Sequence, residues 1–464
     1  MERCLTKPFA LREELLGAFR ELTGAAASCL KAKKDRLRLL AAALILLLSV
    51  GALLSALPGR EIGARMPPAA SGPAAFRGKD WNGIVDVVAG NGFTAGLRRD
   101  GTVAYSGNDY GGAGRRVASW KNIERIELAG WADYINGDDY LIGYRKDGTV
   151  ALESLRDWSE AFSDTHWQEK DFSSWKDVRQ LWIASSFCLG LHGDGTVSLL
   201  AADAETQDAL RAVTAWKGIE QLATDGYSLV VGLKADGTVV STDDEALAEQ
   251  GAYWGSSWGP RKDWNGIRTL AGSWSGVYAI KWDGTVLGQR HAGWTNIDSL
   301  YFAPDSMFGL RRDGTVAVNF YGDQAEDERL AEIAGWTDIV QLGFDITGIT
   351  RYVPVGLRAD GTVRAVTWHY GERYADWDFT GWSGVKKLYS GTDYTIGLRA
   401  DGTLLVTGGE FGTADFLYEV SRWTDIAEIY AAPGEETDHI VGLKFDGTLV
   451  AAGNNDAGQC EVRR

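Results

Sequence analysis

The sequence predicts an all-β protein: a β-propeller of repeated blades, each with three or four antiparallel strands, preceded by one transmembrane helix. Three observations predict it. They are a nine-fold repeat, a period-two alternation of apolar residues inside each repeat, and an uncharged apolar run of 19 residues near the N-terminus. Self-similarity at a fixed period is typical of repeat architectures, so we expect one kind of blade used nine times.

Each repeat begins with a tryptophan and ends at an Asp-Gly-Thr turn. The first copy runs from Trp81 to Val103 as WNGIVDVVAGNGFTAGLRRDGTV. In five copies the tryptophan and the turn aspartate are 19 residues apart, and we interpret the longer gaps as loop insertions. The other copies begin at Trp120, Trp175, Trp216, Trp264, Trp294, Trp336, Trp382 and Trp423, with turns at Asp147, Asp194, Asp236, Asp283, Asp313, Asp360, Asp401 and Asp446.

The alternation within a copy predicts strands. Residues 84–89 and 93–97 are rich in β-branched and aromatic side chains, which favour strands. The glycine of the Asp-Gly-Thr turn accepts a positive φ, so the chain returns as a third strand at 103–105. A fourth, weaker strand is expected before the next tryptophan, most clearly at 458–462. No helix-length period appears after residue 80.

Antiparallel blades repeated in this way indicate a propeller, because radial closure protects the sheet edges. We interpret the nine repeat tryptophans as core residues, since each ring buries roughly 150–250 Å². The turn aspartates are interpreted as structural, because Asp accepts hydrogen bonds from its own backbone in turns.

Four segments carry a resemblance to a known family. GLRRDGTV, GLKADGTV (232–239), GLRADGTV (356–363) and GNNDAGQCEV (453–462) resemble the regulator-of-chromosome-condensation repeat. The style is most similar to bacterial members such as the secreted β-lactamase-inhibitor protein II. The resemblance covers residues 81–464 and implies a propeller. Propellers of this family typically have seven blades, whereas this sequence contains nine repeats. It is specific for fold and poor for function.

The apolar run at residues 39–57 is long enough to cross a bilayer, because a helix rises 1.5 Å per residue and the hydrocarbon core is about 30 Å thick. The basic flank at 31–38 places the N-terminus in the cytoplasm and the repeats outside. A cleaved signal peptide is the alternative, but 38 preceding residues are long for one. We therefore expect a cytoplasmic segment with a short amphipathic helix (1–38), a membrane anchor (39–57), a stalk (58–77) and a propeller (78–464) on the extracytoplasmic face of the cell membrane.

Composition and motifs exclude several classes of function. The net charge of −16 argues against nucleic acid as a partner, since phosphate binding needs clustered Lys and Arg. Ser257 lies in a G-x-S-x-G match, but a nucleophile elbow needs a strand-to-helix turn. The histidines and cysteines have no metal-ligand spacing. We expect Cys188 to be a small core residue, although a disulfide with Cys460 is an alternative. The sequence predicts no enzyme, cofactor or metal.

Binding is the function that the sequence favours. In an antiparallel meander, the loops opposite the Asp-Gly-Thr turns share one face, and here they combine aromatic residues with carboxylates. Such residues suit protein recognition, although the rings also suit packing onto the propeller rim. The candidate binding residues are Tyr110, Trp131, Asp133, Tyr134, Asp138, Asp139, Tyr140, Tyr227, Trp274, Trp368, His369, Tyr370, Asp393 and Tyr394.

Three functions follow from these expectations. The first is a membrane-anchored extracytoplasmic module that binds a protein or a cell-wall component. The inhibitor resemblance implies a secreted enzyme as one target. The second is carbohydrate binding or hydrolysis, with tryptophans stacking on sugars. The third is the guanine-nucleotide exchange of eukaryotic members of the family, which requires a cytoplasmic propeller. The basic residues before the apolar run argue against it, because they predict that the repeats lie outside the cytoplasm.

Overall fold

The computed structural model describes most of the repeat region. The described residues are 75–77, 80–129, 140–155, 172–184, 186–226, 229–242, 264–273, 276–288, 293–303, 306–320, 328–346, 352–366, 368–369, 372–373, 377–391, 393–408, 414–431 and 439–462. Within these ranges no helix is both long enough and apolar enough to cross a membrane. The predicted anchor and amphipathic helix lie outside them.

Nine antiparallel sheets follow one another along the chain, one for each repeat, and we number them 1 to 9. The first strands are Ile84–Gly90, Ile123–Ala129, Val178–Ile183, Ile219–Thr224, Ile267–Ser273, Ile297–Ala303, Ile339–Ile346, Val385–Ser390 and Ile426–Ala431. The second strands are Phe93–Arg98, Tyr140–Arg145, Phe187–His192, Val230–Lys234, Gly276–Lys281, Ser306–Arg311, Tyr352–Arg358, Tyr394–Arg399 and His439–Lys444. The third strands are Val103–Asn108, Val150–Ser154, Val197–Ala201, Val239–Ser241, Val286–Leu287, Val316–Phe320, Val363–Ala365, Leu404–Gly408 and Leu449–Gly453.

A fourth strand occurs in sheet 1, but not from the predicted residues. Ala75–Arg77, within the predicted stalk, pairs with the free edge of Val103–Asn108. The prediction of a strand at 458–462 is wrong, because this segment forms turns that pack onto sheet 1 instead. A two-stranded hairpin, Trp368–His369 with Glu372–Arg373, lies between sheets 7 and 8.

Short helices connect several sheets. They are Ala113–Val117, Ala204–Leu210, Glu328–Ala334 and Ala414–Val420, with 3-10 turns at Tyr110–Gly112 and Arg211–Ala215. With five to seven residues each, they are too short to show a helical period in the sequence. Each follows a third strand and leads into the next tryptophan.

The repeat tryptophan packs against a glycine in the second strand of the same sheet. An added Cβ at Gly96 would lie 2.8 Å from Cζ3 of Trp81, so the indole occupies the space that the missing side chain leaves. The same contact occurs in eight sheets; in sheet 5, Ala279 stands at the glycine position and Trp264 is only half-buried. Seven of the nine repeat tryptophans are buried, and Trp216 is the other half-buried one. Their interpretation as core residues is confirmed for those seven.

The Asp-Gly-Thr turns are held by their own side chains. Oδ1 of Asp100 accepts a hydrogen bond from the Thr102 backbone N–H at 2.9 Å and another from its hydroxyl at 2.7 Å. In all nine turns the aspartate accepts the corresponding backbone N–H bond, which confirms the structural interpretation. These bonds lower the pKa of eight turn aspartates below the ordinary value, so the carboxylates are ionised at neutral pH.

Each turn also ties its sheet to the next one. The carbonyl of Gly101 accepts a hydrogen bond from the backbone N–H of Ile123, the first residue of sheet 2, at 2.9 Å. The same bond recurs at all eight junctions between consecutive sheets. The turn glycine has a positive φ in every copy, which explains why the motif requires glycine.

A second contact between sheets uses the β-bulge in each first strand. All nine first strands shift register between their first and third residues. At several junctions, a side chain of the preceding sheet accepts the backbone N–H of the fourth residue, just after the bulge. Gln221 Oε1 accepts from Leu270 at 2.9 Å, and Gln341 Oε1 accepts from Leu388 at 3.0 Å.

Sheet 9 packs directly against sheet 1. Trp81 and Ile84 share one apolar cluster with Val441 and Val462. The buried hydroxyl of Thr94 lies 2.8 Å from Nε2 of His439 and donates to the carbonyl of Gln459 at 2.8 Å. The C-terminal segment thus takes the place on sheet 1 that an inter-sheet connection takes elsewhere. We call this contact the first–last junction.

The described cysteines are free thiols. Cys188 is fully buried, and desolvation raises the pKa of its thiol, as expected for a core residue. Cys460 is half-buried and free, so the alternative of a disulfide between the two is not realised.

Candidate binding surfaces

The sheets have two chemically different ends. The Asp-Gly-Thr turns join the second and third strands at one end, which we call the turn end. The links between first and second strands, and those from each third strand to the next sheet, leave from the opposite end, which we call the loop end. Among the described candidate binding residues, Tyr110, Tyr140, Asp393 and Tyr394 lie at the loop end.

Six of these candidates lie within the described residues, and Tyr110, Tyr140, Asp393 and Tyr394 among them are buried. Tyr140 and Tyr394 are the first residues of second strands, and they are 2% and 0% exposed. Tyr140 packs with Trp175 and Cys188, while the ring of Tyr394 lies 6.0 Å from that of Phe416. Asp393 is 1% exposed. The structure therefore gives these three residues packing positions rather than exposed ones.

Tyr110 also folds back onto the protein. Its ring is buried, and its hydroxyl donates to the carbonyl of Asn91 in the loop of the same sheet. The neighbouring Asp109 is buried too, and it caps the backbone N–H of Arg115 and pairs with its guanidinium at 3.2 Å. The aromatic-acidic pattern here stabilises a connection between sheets 1 and 2.

The remaining candidates lie in a short hairpin or outside the described residues. Trp368 and His369 form one strand of the short hairpin between sheets 7 and 8. The candidates outside the described residues are Trp131, Asp133, Tyr134, Asp138, Asp139, Tyr227, Trp274 and Tyr370, and Ser257 also lies outside them. Their role in binding stays a prediction.

The connections at the loop end are acidic in sequence. Segments 130–139, 321–327 and 432–438 each contain three Asp or Glu and no Lys or Arg. Segments 156–171 and 243–263 each contain five acidic and two basic residues. Segments 130–139 and 432–438 each join a first strand to a second strand, whose linked termini lie at the loop end, whereas the other three lead from a third strand towards the next tryptophan.

The turn end carries exposed apolar residues that the sequence analysis did not select. Trp282 and Phe445 are 65% and 62% exposed, and each directly precedes a turn aspartate. Val85 and Val340 are 44% and 55% exposed at the bulge position of their first strands. A comparison of the copies in sequence would have revealed Trp282 and Phe445, because the other copies have polar residues, Ala or Gly at this turn position.

Charged and aromatic side chains on first strands of neighbouring sheets form ion pairs and hydrogen bonds with one another. Nζ of Lys387 lies 2.5 Å from Glu428 Oε1, which also accepts from the hydroxyl of Tyr389. Across the first–last junction, the Tyr430 hydroxyl donates to Asp86 at 3.4 Å. Burial raises the pKa of Asp86 and of both tyrosines. These contacts join neighbouring sheets.

His192 and His439 likewise make contacts within the fold. Nδ1 of His192 lies 2.6 Å from the carbonyl of Lys176, and its Nε2 lies 2.7 Å from the hydroxyl of Ser198. His439 is fully buried against Thr94. Over the described ranges, no group of three His, Cys, Asp or Glu side chains is placed to hold a metal ion.

Comparisons with known proteins return structures but no sequence relatives. No family model and no curated protein matches the chain. Among solved structures, the computationally designed Ika8 protein is 18% identical and covers 72% of this chain and 98% of its own, with a TM-score of 0.34. Human WBSCR16 is 14% identical and covers 83% of this chain and 93% of its own, with a TM-score of 0.32.

Prp20p from Saccharomyces cerevisiae, which is yeast RCC1, is also similar to this chain. It is 14% identical and covers 81% of this chain and 84% of its own, with a TM-score of 0.33. Its structure was described together with its binding to Gsp1p and histones. All three TM-scores lie below 0.5, so the fold described above rests on the sheets of this chain alone.

Proposed function

We propose that this chain is a membrane-anchored binding module, with nine sheets that close into a propeller beyond the bilayer. It binds a protein or a cell-wall component through the acidic connections of the loop end. The observation that carries the proposal is the repeated topology. In every sheet the link between first and second strands joins termini at the loop end, and the chain leaves the third strand at that same end, whereas the uniform turns lie at the other.

Closure into a ring is supported by the first–last junction. The Thr94–His439 and Thr94–Gln459 contacts are buried, and Val462 fills the apolar cluster between the two sheets. The hydroxyl of Tyr430 reaches the bulge of sheet 1 as Tyr389 reaches that of sheet 9. A ring without free ends suits a rigid scaffold for loops, because it leaves no sheet face exposed at either end.

The membrane anchor is supported by the sequence: 19 uncharged residues at 39–57 follow a basic flank. Digestion of the repeats by a protease added to intact cells is the expected result. Protection of the repeats until the membrane is permeabilised would contradict the external placement and would favour a cytoplasmic regulator.

Binding is tested by charge removal at one end only. The full chain with Asp133, Asp138 and Asp139 changed to Asn and Tyr134 to Ala is used to capture partners from membrane and wall fractions. Tyr140 is left intact, because it is buried. We expect capture to fall at least about tenfold, in the range of a lost interface anchor.

The control removes three charges at the turn end. Asp177, Asp338 and Asp425 change to Asn, which two other copies already carry at this position as Asn122 and Asn296. The control is expected to capture normally. Equal capture by both variants would contradict the loop-end proposal, and competition by soluble glycan alone would assign the site to carbohydrate.

A further inference from the structure

We infer that the first–last junction is an acid-sensitive closure, which opens when the imidazole of His439 takes up a second proton. The inference rests on the ring closure of the proposed function and adds a regulatory property to it. Acid releases sheet 9 from sheet 1 and leaves the eight junctions between consecutive sheets intact.

The first–last junction differs from the other eight because no covalent connection crosses it. Consecutive sheets are joined by the chain itself and by the bond from each turn glycine to the next first strand. Sheets 9 and 1 are held together by side chains, namely the apolar cluster around Trp81 and Val462, the hydroxyls of Thr94 and Ser106, and Tyr430. A change in one buried side chain can therefore act on this junction alone.

The hydrogen bonds of Thr94 determine where His439 carries its hydrogen in the closed junction. The Thr94 hydroxyl has one hydrogen, and the carbonyl of Gln459, 2.8 Å away, can only accept it. Nε2 of His439, 2.8 Å from the same hydroxyl oxygen, must then be a donor. In the neutral imidazole Nδ1 consequently carries no hydrogen, and it is the atom that takes a proton from acidic solvent.

A proton on Nδ1 places a positive charge in the protein interior. His439 and Thr94 are both 0% exposed, and Gln459 is 1% exposed. Burial disfavours the charged form of an imidazole, whereas in the open junction water solvates the imidazolium. The open junction therefore binds one proton more than the closed junction, and acid shifts the equilibrium towards the open form.

The other copies show that the fold does not require histidine at this position. His439 is the first residue of its second strand, and in four other copies a buried ring that is neutral at physiological pH stands there: Phe93, Tyr140, Phe187 and Tyr394. Sheet 9 alone begins its second strand with histidine. His192 makes its hydrogen bonds to residues of its own copy, so its protonation acts within sheet 3.

Three described elements pack against His439 with groups that do not ionise. Sheet 1 contributes the hydroxyl of Thr94, and the C-terminal segment contributes Gln459. Within sheet 9, His439 pairs with Gly453 of the third strand. The preceding segment 432–438, with its three acidic residues, lies outside the described residues.

Titratable groups elsewhere at the junction do not promote opening in acid. Burial raises the pKa of Asp86, which accepts a hydrogen bond from Tyr430, so acid neutralises a buried carboxylate and favours the closed junction. Burial also raises the pKa of the Cys460 thiol to about 12, so this group stays neutral from acidic to neutral pH. Asp86 opposes the effect of His439, and Cys460 does not contribute to it.

The experiment measures how accessible a thiol at the junction is in the full chain. Val462→Cys, combined with Cys460→Ser, places a cysteine in the buried apolar cluster between sheets 9 and 1. Native Cys188, buried in sheet 3, is the internal control. Labelling by an aromatic disulfide reagent is followed by mass spectrometry of each peptide. Each rate is divided by the rate of the urea-unfolded chain at the same pH, so that the ratio reports local opening.

Between about pH 7.5 and about pH 5.5, a proton that binds the open junction with the ordinary histidine pKa of about 6.5 shifts the equilibrium about tenfold. We expect the labelling ratio at position 462 to rise about tenfold and the ratio at Cys188 to change less than about twofold. His439→Phe and His439→Tyr introduce rings that other copies already bury at this position. Both variants are expected to abolish the rise, because neither ring takes up a proton in this range.

Three results would overturn the inference. They are equally slow labelling at position 462 at both pH values, an equal rise at Cys188, and a rise at position 462 that persists in both His439 variants. Labelling at position 462 as fast as in the unfolded chain at about pH 7.5 would contradict the ring closure itself, and with it the proposed function on which this inference rests.

Discussion

Replacing Gly356 with alanine tests how the repeat tryptophan sets the sheet core. The added Cβ would lie 2.9 Å from Trp336 Cε3 and Cζ3 and 2.9 Å from Ile339 Cδ1. All three atoms belong to buried side chains, so the ring or the strand has to move. Overpacking of this kind costs about 1–3 kcal/mol, and the reduced freedom of the unfolded chain returns about 0.4–1 kcal/mol. We expect a net loss of about 1–2 kcal/mol.

The assay is thermal unfolding of the purified full chain. At about 2.1 cal/mol/K per residue over roughly 390 residues, this loss lowers Tm by about 1–3 °C. A smaller ring in Trp336→Phe makes room, so Gly356→Ala should cost less in that background, with a coupling of at least about 0.5 kcal/mol. The fifth copy is the natural control, because Ala279 already stands there. An unchanged Tm, or equal losses in both backgrounds, would refute the packing argument.

Three further outcomes are expected. Hydrogen bonds lower the folded-state pKa of eight turn aspartates below the ordinary value of 3.8. These carboxylates therefore stabilise the folded protein fully above pH 3.8, and their contribution is lost as the pH falls through the lowered values. A Tm unaffected by acid below about pH 4 would contradict this. Thr94→Val removes two buried contacts at the first–last junction and should cost about 1–3 kcal/mol in thermal unfolding. Tyr394→Ala should cost about 3–5 kcal/mol, as for a large core ring, while Phe445→Ala should stay within about 0.5 kcal/mol; the reverse order would contradict the burial found here.

The repeated part of the fold was predictable because its causes are local. A turn aspartate bonds to a threonine two residues away, and each tryptophan meets a glycine of its own copy. Any single copy therefore contains the information for its sheet. Counting tryptophans and turns predicted the nine sheets correctly. The family that the repeats resemble typically has seven blades, so the resemblance alone would not have predicted this number.

The remaining features depend on distant residues or on position within an element. Ala75–Arg77 pairs with a strand whose free edge no sequence pattern marks, and the 458–462 segment packs instead of pairing. Tyr140 and Tyr394 look like loop residues in sequence, but they begin strands and point into the core. Conversely, Phe445 lies in a uniform turn, and only a comparison between copies reveals it.

Closure of the nine sheets is tested most directly by a distance between sheets 1 and 9. Spin labels at Asn82→Cys and Thr424→Cys, both exposed and at the same position of their copies, report it when the native cysteines outside the core are replaced by serine. Labels at Thr337→Cys and Ser383→Cys give the reference, because sheets 7 and 8 are consecutive. We predict that the two distances agree. An open stack of nine sheets spaced about 10 Å apart would instead separate the first pair by roughly 80 Å, and that result would contradict the ring.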